Sequence, residues 1–234
     1  MIDSNKITEL KNDIDQARHI TFLTGAGVST HSGIPDYRSK NGIYDGVSES
    51  PETILSEETL YQRPEFFYKF VMDNMYFPSA KPNEIHQKIA AICNEKGDLI
   101  TQNVDGLDNK AGNKHVTEFH GCLYNIYCTK CHKPVSYAEY AKSYRHENCG
   151  GIIRPGIVLY GEAINGDSLA KSVNAMQNSD LVIISGTSFV VYPFAQLLSY
   201  RQAGAKVWAI NKTAIPAEGI SSIIADALDV FKQL

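Results

Sequence analysis

Residues 25–38, GAGVSTHSGIPDYR, constrain this chain more than any other stretch. They follow an apolar, strand-like segment at 20–23 and set glycines among small hydroxyl residues. The run then breaks at Ile34-Pro35 and presents Asp36, Tyr37 and Arg38. Glycines directly after a strand let the backbone approach a pyrophosphate, and a following helix N-terminus supplies N–H donors and the positive end of its dipole. A dinucleotide or phosphate site is therefore expected, with its cradle at Gly25, Ala26, Gly27 and Thr30. The plain dinucleotide fingerprint is not met. Thr30 takes the third glycine position, and no second strand ending in an acid follows about 20 residues later.

Around this run the chain alternates strand and helix patterns. Ile7, Leu10, Ile14 and Ala17 recur at helical spacing, with Asp3 or Ser4 placed to cap them. A second helix is expected at 83–95, capped by Asn83 and stopped by Gly97. Others are expected at 168–177, 193–203 and 225–232, and strands at 20–23, 98–101, 115–118, 157–159, 181–185 and 206–210. This alternation predicts an α/β fold: a parallel, Rossmann-like sheet covered by helices on both faces. Residues 39–80, crowded with aromatics and broken by Pro64 and Pro78, read as a cofactor loop and helical insertion. Residues 122–156 read as a small separate module. The large unit then comprises 1–38, 81–121 and 157–234.

With 234 residues the chain has length for a full core, and a net charge of −4 offers nothing to nucleic acid or a membrane surface. No apolar stretch approaches the roughly 18 residues of a membrane span. The N-terminal MIDSNKITELKNDIDQ carries acids in place of an apolar signal core. Five unevenly spread cysteines argue against a disulfide framework and for a reducing cytoplasm with a metal or free thiols. A soluble, cytoplasmic chain is expected, and with no coiled-coil heptads, a monomer.

Cys128 and Cys131 form a CxxC, and His146 and Cys149 an HxxC beyond it. Two such pairs suit a closed, tetrahedral, structural zinc site, while ordinary reduced thiols are the plainer reading. His132 is a rival fourth ligand, but it is adjacent to Cys131 and poorly placed to fold back on the same ion. Cys93 and Cys122 read as buried structural thiols.

A third signal is Thr101-Gln102-Asn103-Val104-Asp105-Gly106 at a strand end, followed by Glu118-Phe119-His120-Gly121 at another. Ligands in open α/β sheets bind outside the carboxyl ends of the strands. Amide, carboxylate and imidazole groups gathered there suit a substrate with hydroxyls and a carboxamide.

GAGVSTHSGIPDYRS, TQNVD and His120-Gly121, taken with RPGIVLYGE at 154–162 and Gly186-Thr187-Ser188, resemble the signatures of the sirtuins, the NAD-dependent protein deacylases. The resemblance covers residues 17–230. It departs from the family at Tyr37, usually Phe, at Asp108, often His, and at His146, where the fourth zinc cysteine is expected.

This resemblance implies that NAD lies across the sheet ends with its pyrophosphate on the 25–27 turn. Asp105 would meet the nicotinamide carboxamide in a pocket shaped by Ile34, Tyr37 and Val104, beside Asp36 and Arg38. Gln102 and Asn103 would hold the neighbouring ribose, and Gly186, Thr187, Ser188 and Asn211 the adenosine ribose, with Asp226 and Ala227 against adenine. The acyl-lysine oxygen would attack the ribose C1′ as nicotinamide leaves. His120 would serve as general base on the ribose hydroxyls, with Asn103 the second catalytic residue. The family's four-ligand zinc site maps onto Cys128, Cys131, His146 and Cys149. The implied substrate, an acetyl-lysine protein or peptide, would pair with Val158, Tyr160 and Gly161 on one side and Phe189 and Val190 on the other. Relatives that prefer dicarboxylic acyl groups carry a Tyr-x-x-Arg pair; here Tyr68 is followed by Val71, which implies acetyl over succinyl. Mono-ADP-ribosyl transfer and a preference for longer acyl chains are the alternatives.

Overall fold

Short runs of β-branched and apolar residues build the centre. The computed structural model describes residues 2–36, 42–43, 49–215 and 219–234. Strands β1 (Ile20–Thr24), β2 (Gly97–Thr101) and β3 (Val116–Glu118) lie on one side of the main sheet. Two strands, β4 (Gly121–Cys128) and β5 (Ile153–Ile157), leave it, and β6 (Leu181–Ser185), β7 (Lys206–Asn211) and β8 (Ser221–Ile224) complete it. The order is β3-β2-β1-β6-β7-β8 and every pairing is parallel. The strand order therefore reverses between β1 and β6, and ligand crevices open at such a switch point.

Side chains alternate faces along each strand, and both faces are apolar, as in a covered parallel sheet. Ile20, Phe22, Ile183 and Trp208 point toward helices Ser4–Gln16, Glu84–Lys96 and Ala227–Phe231. Leu23, Ile184, Val207 and Ala209 point toward helix Gly166–Asn178 and the 3-10 segment Phe194–Tyr200. The expected α/β architecture is present. Asp3 is the cap of the first helix, accepting from Asn5 N–H at 2.9 Å. Asn83 caps Glu84–Lys96 by accepting from Ile85 N–H at 2.9 Å.

Four local expectations need correction. Residues 157–159 are not a strand of the parallel sheet; β5 ends at Ile157 and pairs antiparallel with β4. The strand β8 is absent from the sequence reading, because only Ile223 of its four residues is buried and the apolar signal is thin. The 193–203 segment is 3-10 rather than α-helical. No α-helix follows the 25–27 turn: two short 3-10 turns, Ala26–Val28 and Thr30–Ser32, end at Gly33 with φ +81°. Hydroxyl residues, three glycines and Pro35 leave that stretch few helix formers.

A separate core sits beside the sheet ends. Leu60, Phe67, Phe70 and Val71 from the insertion pack with Leu123, Ile126, Tyr140 and Ile153 from the module. The two segments thus share one core, knit further by the Tyr76 hydroxyl donating to Leu123 O at 2.6 Å. Cys93 and Cys122 are buried as expected, and burial pushes their thiols up to about 12 and about 11.

Candidate functional site

A cleft of about 850 Å³ opens where the sheet order reverses, between the sheet ends and the second core. Its floor is a backbone interlock. Gly27 N–H donates to Gly186 O at 2.8 Å, and Gly25 N–H to Ser185 O at 3.3 Å. A Cβ at Gly27 would lie 2.8 Å from Gly186 Cα, and one at Gly25 2.8 Å from Thr187 Cβ. Gly186 has φ +63° and leaves 2.5 Å between its missing Cβ and Val28 N. The turns after β1 and β6 touch only because these positions lack side chains. That close approach leaves backbone exposed for a pyrophosphate. Thr30 bonds Gly27 O at 3.0 Å and lines the cleft with Ala26, Gly27, Asp36, Gly186, Thr187 and Ser188.

Behind the floor, four polar side chains lock together. Ser29, 1% exposed, donates to Asp105 Oδ2 at 2.7 Å and accepts from Asn103 Nδ2 at 3.1 Å. Asn103 also donates to Gly25 O at 3.2 Å, and Asp105 Oδ1 accepts Leu107 N–H at 2.8 Å. His86 Nδ1 accepts Asn83 N–H, which leaves Nε2 carrying the hydrogen 3.4 Å from Ser29 Oγ. Burial holds the His86 imidazole down at about 4, against the opposing pull of Asp105. Val104, Asp105 and Ile34 border a small adjoining recess. Tyr37 and Arg38 lie outside the described residues.

His120 stands on the wall of the main cleft. Its Nδ1 lies 3.4 Å from Gln102 O, and a carbonyl only accepts, so the hydrogen is on Nδ1 and Nε2 is the basic nitrogen. Burial lowers its pKa, with the Gln102 bond opposing, so the ring is neutral near pH 7. Phe119 and Phe194 pack beside it, with centroids 5.3 and 6.3 Å away. Gln102 is itself held by the Thr187 hydroxyl at 2.8 Å.

At the far end Asn211 grips the 187 turn twice, accepting Thr187 N–H at 3.2 Å and donating to Thr187 O at 2.7 Å. Asp226 and Ala227 also line the cleft. Asp226 accepts from Leu228 N–H at 2.9 Å and is bridged by His31 at 2.8 Å and Lys212 at 3.0 Å. Burial raises that carboxyl, but the Lys212 and His31 bonds outweigh it and hold it low.

In the module, Cys128, Cys131, His146 and Cys149 converge, with ligand atoms all within 4.8 Å of one another. His146 presents Nδ1 to Cys149 Sγ at 3.1 Å and Cys131 Sγ at 3.4 Å. Three thiolates and an imidazole at these separations fit one tetrahedral structural zinc. His132 is not part of the cluster. A Cβ at Gly151 would lie 2.6 Å from Cys128 Sγ, so that glycine lets the second ligand pair close on the first.

The Sir2 family's sequence model matches residues 25–193. The chain belongs to the Sir2 family. A Listeria innocua relative, an NAD-dependent protein deacetylase, is 51% identical over 97% of this chain and 100% of its own length. A Sir2 structure with deacetylated p53 peptide and 3′-O-acetyl-ADP-ribose superposes with TM-score 0.89 at 32% identity, covering 97% of this chain and 96% of that one. A Sir2 structure with p53 peptide and NAD+ superposes at 0.85 and 31%, covering 97% and 96%.

In this Sir2 chain the walls near His120 differ in detail from the sequence reading. Val158, Tyr160 and Gly161 line the cleft, but much of the 158–160 main chain is already used. Val158 N–H donates to His120 O at 2.9 Å, Tyr160 N–H to Leu55 O at 2.8 Å, and Tyr160 O accepts Glu57 N–H at 3.0 Å. Gly161 and Val190 keep unbonded N–H and C=O groups among the described residues. Phe189, at φ +56°, turns its ring inward onto Phe194 while Val190 faces out, 47% exposed. Tyr68 and Val71 do not line the cleft. Tyr68 packs on Tyr140 and Tyr144 and donates to Ala141 O at 3.1 Å, and Val71 is fully buried in the second core. Apolar Leu55, Met75, Ile157 and Leu159 stand in the cleft wall instead.

Sequence reasoning missed Ser29, His86, His31 and Lys212 as members of this Sir2 site. It also missed that Arg154, 3% exposed, pairs with Glu162 and donates to Ile157 O at 2.6 Å, bracing the wall. Ser29 and His31, lying inside the glycine-rich run, carried a signal that could have pointed to them.

Proposed function

We propose that this Sir2 chain is an NAD-dependent protein lysine deacetylase that moves the acyl group from lysine to ADP-ribose with release of nicotinamide. The observation that carries this is the placement of neutral His120 in the same cleft as the three-glycine backbone floor. NAD, when bound, supplies an electrophilic ribose carbon and the hydroxyls that receive the acyl group. The chain's own residues do the rest. The 25–27 turn and Gly186 offer backbone to the pyrophosphate, and Asn211, Thr187 and Ser188 the adenosine end, with Asp226 and Ala227 beside the adenine. Asp105, fixed by Ser29 and Leu107, orients the carboxamide beside Ile34 and Val104, and Gln102 and Asn103 hold the reacting ribose. The acyl oxygen is a weak nucleophile, so alignment matters more than a base there; pre-organisation of this kind is worth about 7–11 kcal/mol. His120 Nε2 then takes a proton from a ribose hydroxyl, which its lowered pKa permits at neutral pH.

The acyl-lysine peptide would add as a strand between Gly161 and Val190, whose free main-chain groups support this edge over 158–160. Zinc at Cys128, Cys131, His146 and Cys149 would hold the module and take no part in the reaction. We read the chain as a cytoplasmic monomer acting on proteins, with the boundaries 39–80 and 122–156 for its inserted segments. No described helix is long and apolar enough to cross a membrane.

The test is mass spectrometry of an acetyl-lysine peptide with and without NAD, beside a His120→Ala variant. NAD-dependent loss of acetyl with matching acetyl-ADP-ribose, absent in the variant, supports the assignment. Label from NAD appearing on protein instead would favour ADP-ribosyl transfer.

A further inference from the structure

A closed circuit of polar contacts runs around the far end of the cleft, and one of its members has no part in the deacetylase scheme. The turn after β1 meets the turn after β6 through Gly27 N–H and Gly186 O at 2.8 Å. That second turn meets the end of β7 through Thr187 and Asn211, at 3.2 and 2.7 Å. Lys212, next in the chain, reaches Asp226 Oδ2 in the turn after β8 at 3.0 Å. His31, in the 3-10 turn Thr30–Ser32, closes the circuit: its Nε2 lies 2.8 Å from Asp226 Oδ1. Gly27, Gly186, Thr187, Asn211, Lys212 and Asp226 all line the cleft, while His31 stands outside the lining.

The closing link joins parts of the chain that the sheet does not join. Strands β1 and β8 are not neighbours; β6 and β7 lie between them. The bond from His31 to Asp226 therefore ties the segment after β1 to the turn after β8 across two intervening strands. A carboxylate only accepts, so the hydrogen is on His31 Nε2. Asp226 is then gripped from both sides, with Leu228 N–H also donating to Oδ1 at 2.9 Å. Its other grip, Lys212, is a long side chain, 72% exposed, and holding it in one geometry costs entropy. The imidazole is shorter and stiffer. The fold does not depend on this bond, because Val28 is buried in one core with Ala227 and Val230.

We propose that His31 is a positioning residue for the adenosine half of NAD: by holding the Asp226 carboxylate it closes the circuit and fixes the turns after β1 and β8 around the adenosine. This role rests on the reading of that end of the cleft as the adenosine site. A rim ordered before the ligand arrives costs the complex less than one ordered on binding. Ser29, two residues before His31, holds Asp105 and Asn103 on the nicotinamide side. The short segment after β1 is thus tied toward both halves of the cofactor, by Ser29 toward one and by His31 toward the other.

The experiment is calorimetric titration of the full chain with ADP, NAD and an acetyl-lysine peptide, so a chain without deacetylase activity is still informative. His31→Ala should bind ADP and NAD about fivefold more weakly, by the same factor for both. Its peptide affinity and thermal midpoint should match the wild type. His31→Gln, which can still donate an N–H to Asp226, should recover most of the loss, and His31→Leu should not. Asp226→Ser keeps a helix cap but is too short to reach the imidazole; in that background His31→Ala should cost nothing further. Unchanged ADP affinity in His31→Ala overturns the proposal, and so does an equal loss of peptide affinity or a loss that persists beside Asp226→Ser. A wild type that binds neither ADP nor NAD would instead remove the cofactor reading itself, and this role with it. If His31→Ala does not fold, His31→Gln and His31→Leu, which keep the bulk, decide by the same titrations.

Discussion

Ser29 donates its hydroxyl to Asp105 Oδ2 at 2.7 Å, and this bond ties the turn after β1 to the loop after β2. Ser29 also receives Asn103 Nδ2, so two residues assigned to NAD depend on one buried hydroxyl. Ser29→Ala would leave a carboxylate oxygen and an amide short of a partner, a loss of about 1.5–3 kcal/mol. We expect kcat/KM for NAD to fall about tenfold or more, with the acyl-peptide KM little changed. Kinetics within twofold of wild type would show that the bond is incidental.

The interlock of Gly27 and Gly186 tolerates no side chain. Gly186→Ala adds a Cβ 2.5 Å from Val28 N at a positive φ, and Gly27→Ala adds one 2.8 Å from Gly186 O. Each should cost about 2–4 kcal/mol of stability and weaken NAD binding. Urea melts paired with calorimetric titration of NAD check both, and unchanged affinity in a folded Gly186→Ala chain would count against the cradle.

The acid side of the pH profile should follow the histidines. Both His86 and His120 have pKa values lowered by burial, His86 to about 4. A group with a depressed folded pKa contributes stability that is present above its unfolded value near 6.5 and lost as pH falls through the folded one. Turnover should therefore hold at pH 7 and decline below the unperturbed histidine value. Asn83→Ala, which removes the N–H-bearing cap's side chain beside His86, should shift acid unfolding to higher pH. An acid limb lying above pH 6.5 would contradict the assignment of His120.

One zinc ion per chain is expected, bound by three cysteines and His146. Chelation should melt the antiparallel module first, since structural zinc contributes roughly 10–16 kcal/mol to folding of small sites. His146→Cys should retain zinc, and Cys131→Ser should lose it, both read by elemental analysis. Full zinc content in Cys131→Ser would remove that ligand from the set.

Acetyl-lysine should be turned over well ahead of succinyl-lysine. The wall near His120 is apolar, with Leu55, Met75, Ile157 and Leu159, and among the described residues the lysine that lines the cleft, Lys212, is committed to Asp226 at the far end. A carboxylate desolvated there without a cation costs several kcal/mol. Comparable rates on one peptide with the two acyl groups would refute this.

Much of the site was legible because its parts are contiguous. Gly25, Gly27, Gln102, Asn103, His120 and the 186–188 turn each sit directly after a strand, and a strand's carboxyl end is where this fold places ligands. The four zinc ligands were legible for a similar reason, their spacing. Tyr68 and Val71 were misplaced because a helix presents neighbours three apart on one face without revealing what that face meets. Here it meets Tyr140, Tyr144 and the second core. Residues 157–159 were apolar enough for a parallel strand, yet the pairing of β5 with β4 turned them into a wall.

By itself, then, the sequence determined the layered α/β frame, through the alternation of its apolar faces, and the positions at which the chain has no room for a side chain. These are local properties, set by residue type and the few residues on either side. Only the tertiary structure decided that Ser29, His86, Asn103 and Asp105 form one hydrogen-bonded group. Ser29 and Asp105 are 76 residues apart in the chain. Their contact exists because β1 and β2 pair in register, and hydrogen bonds and buried charges depend on distances in space that no spacing in the chain records.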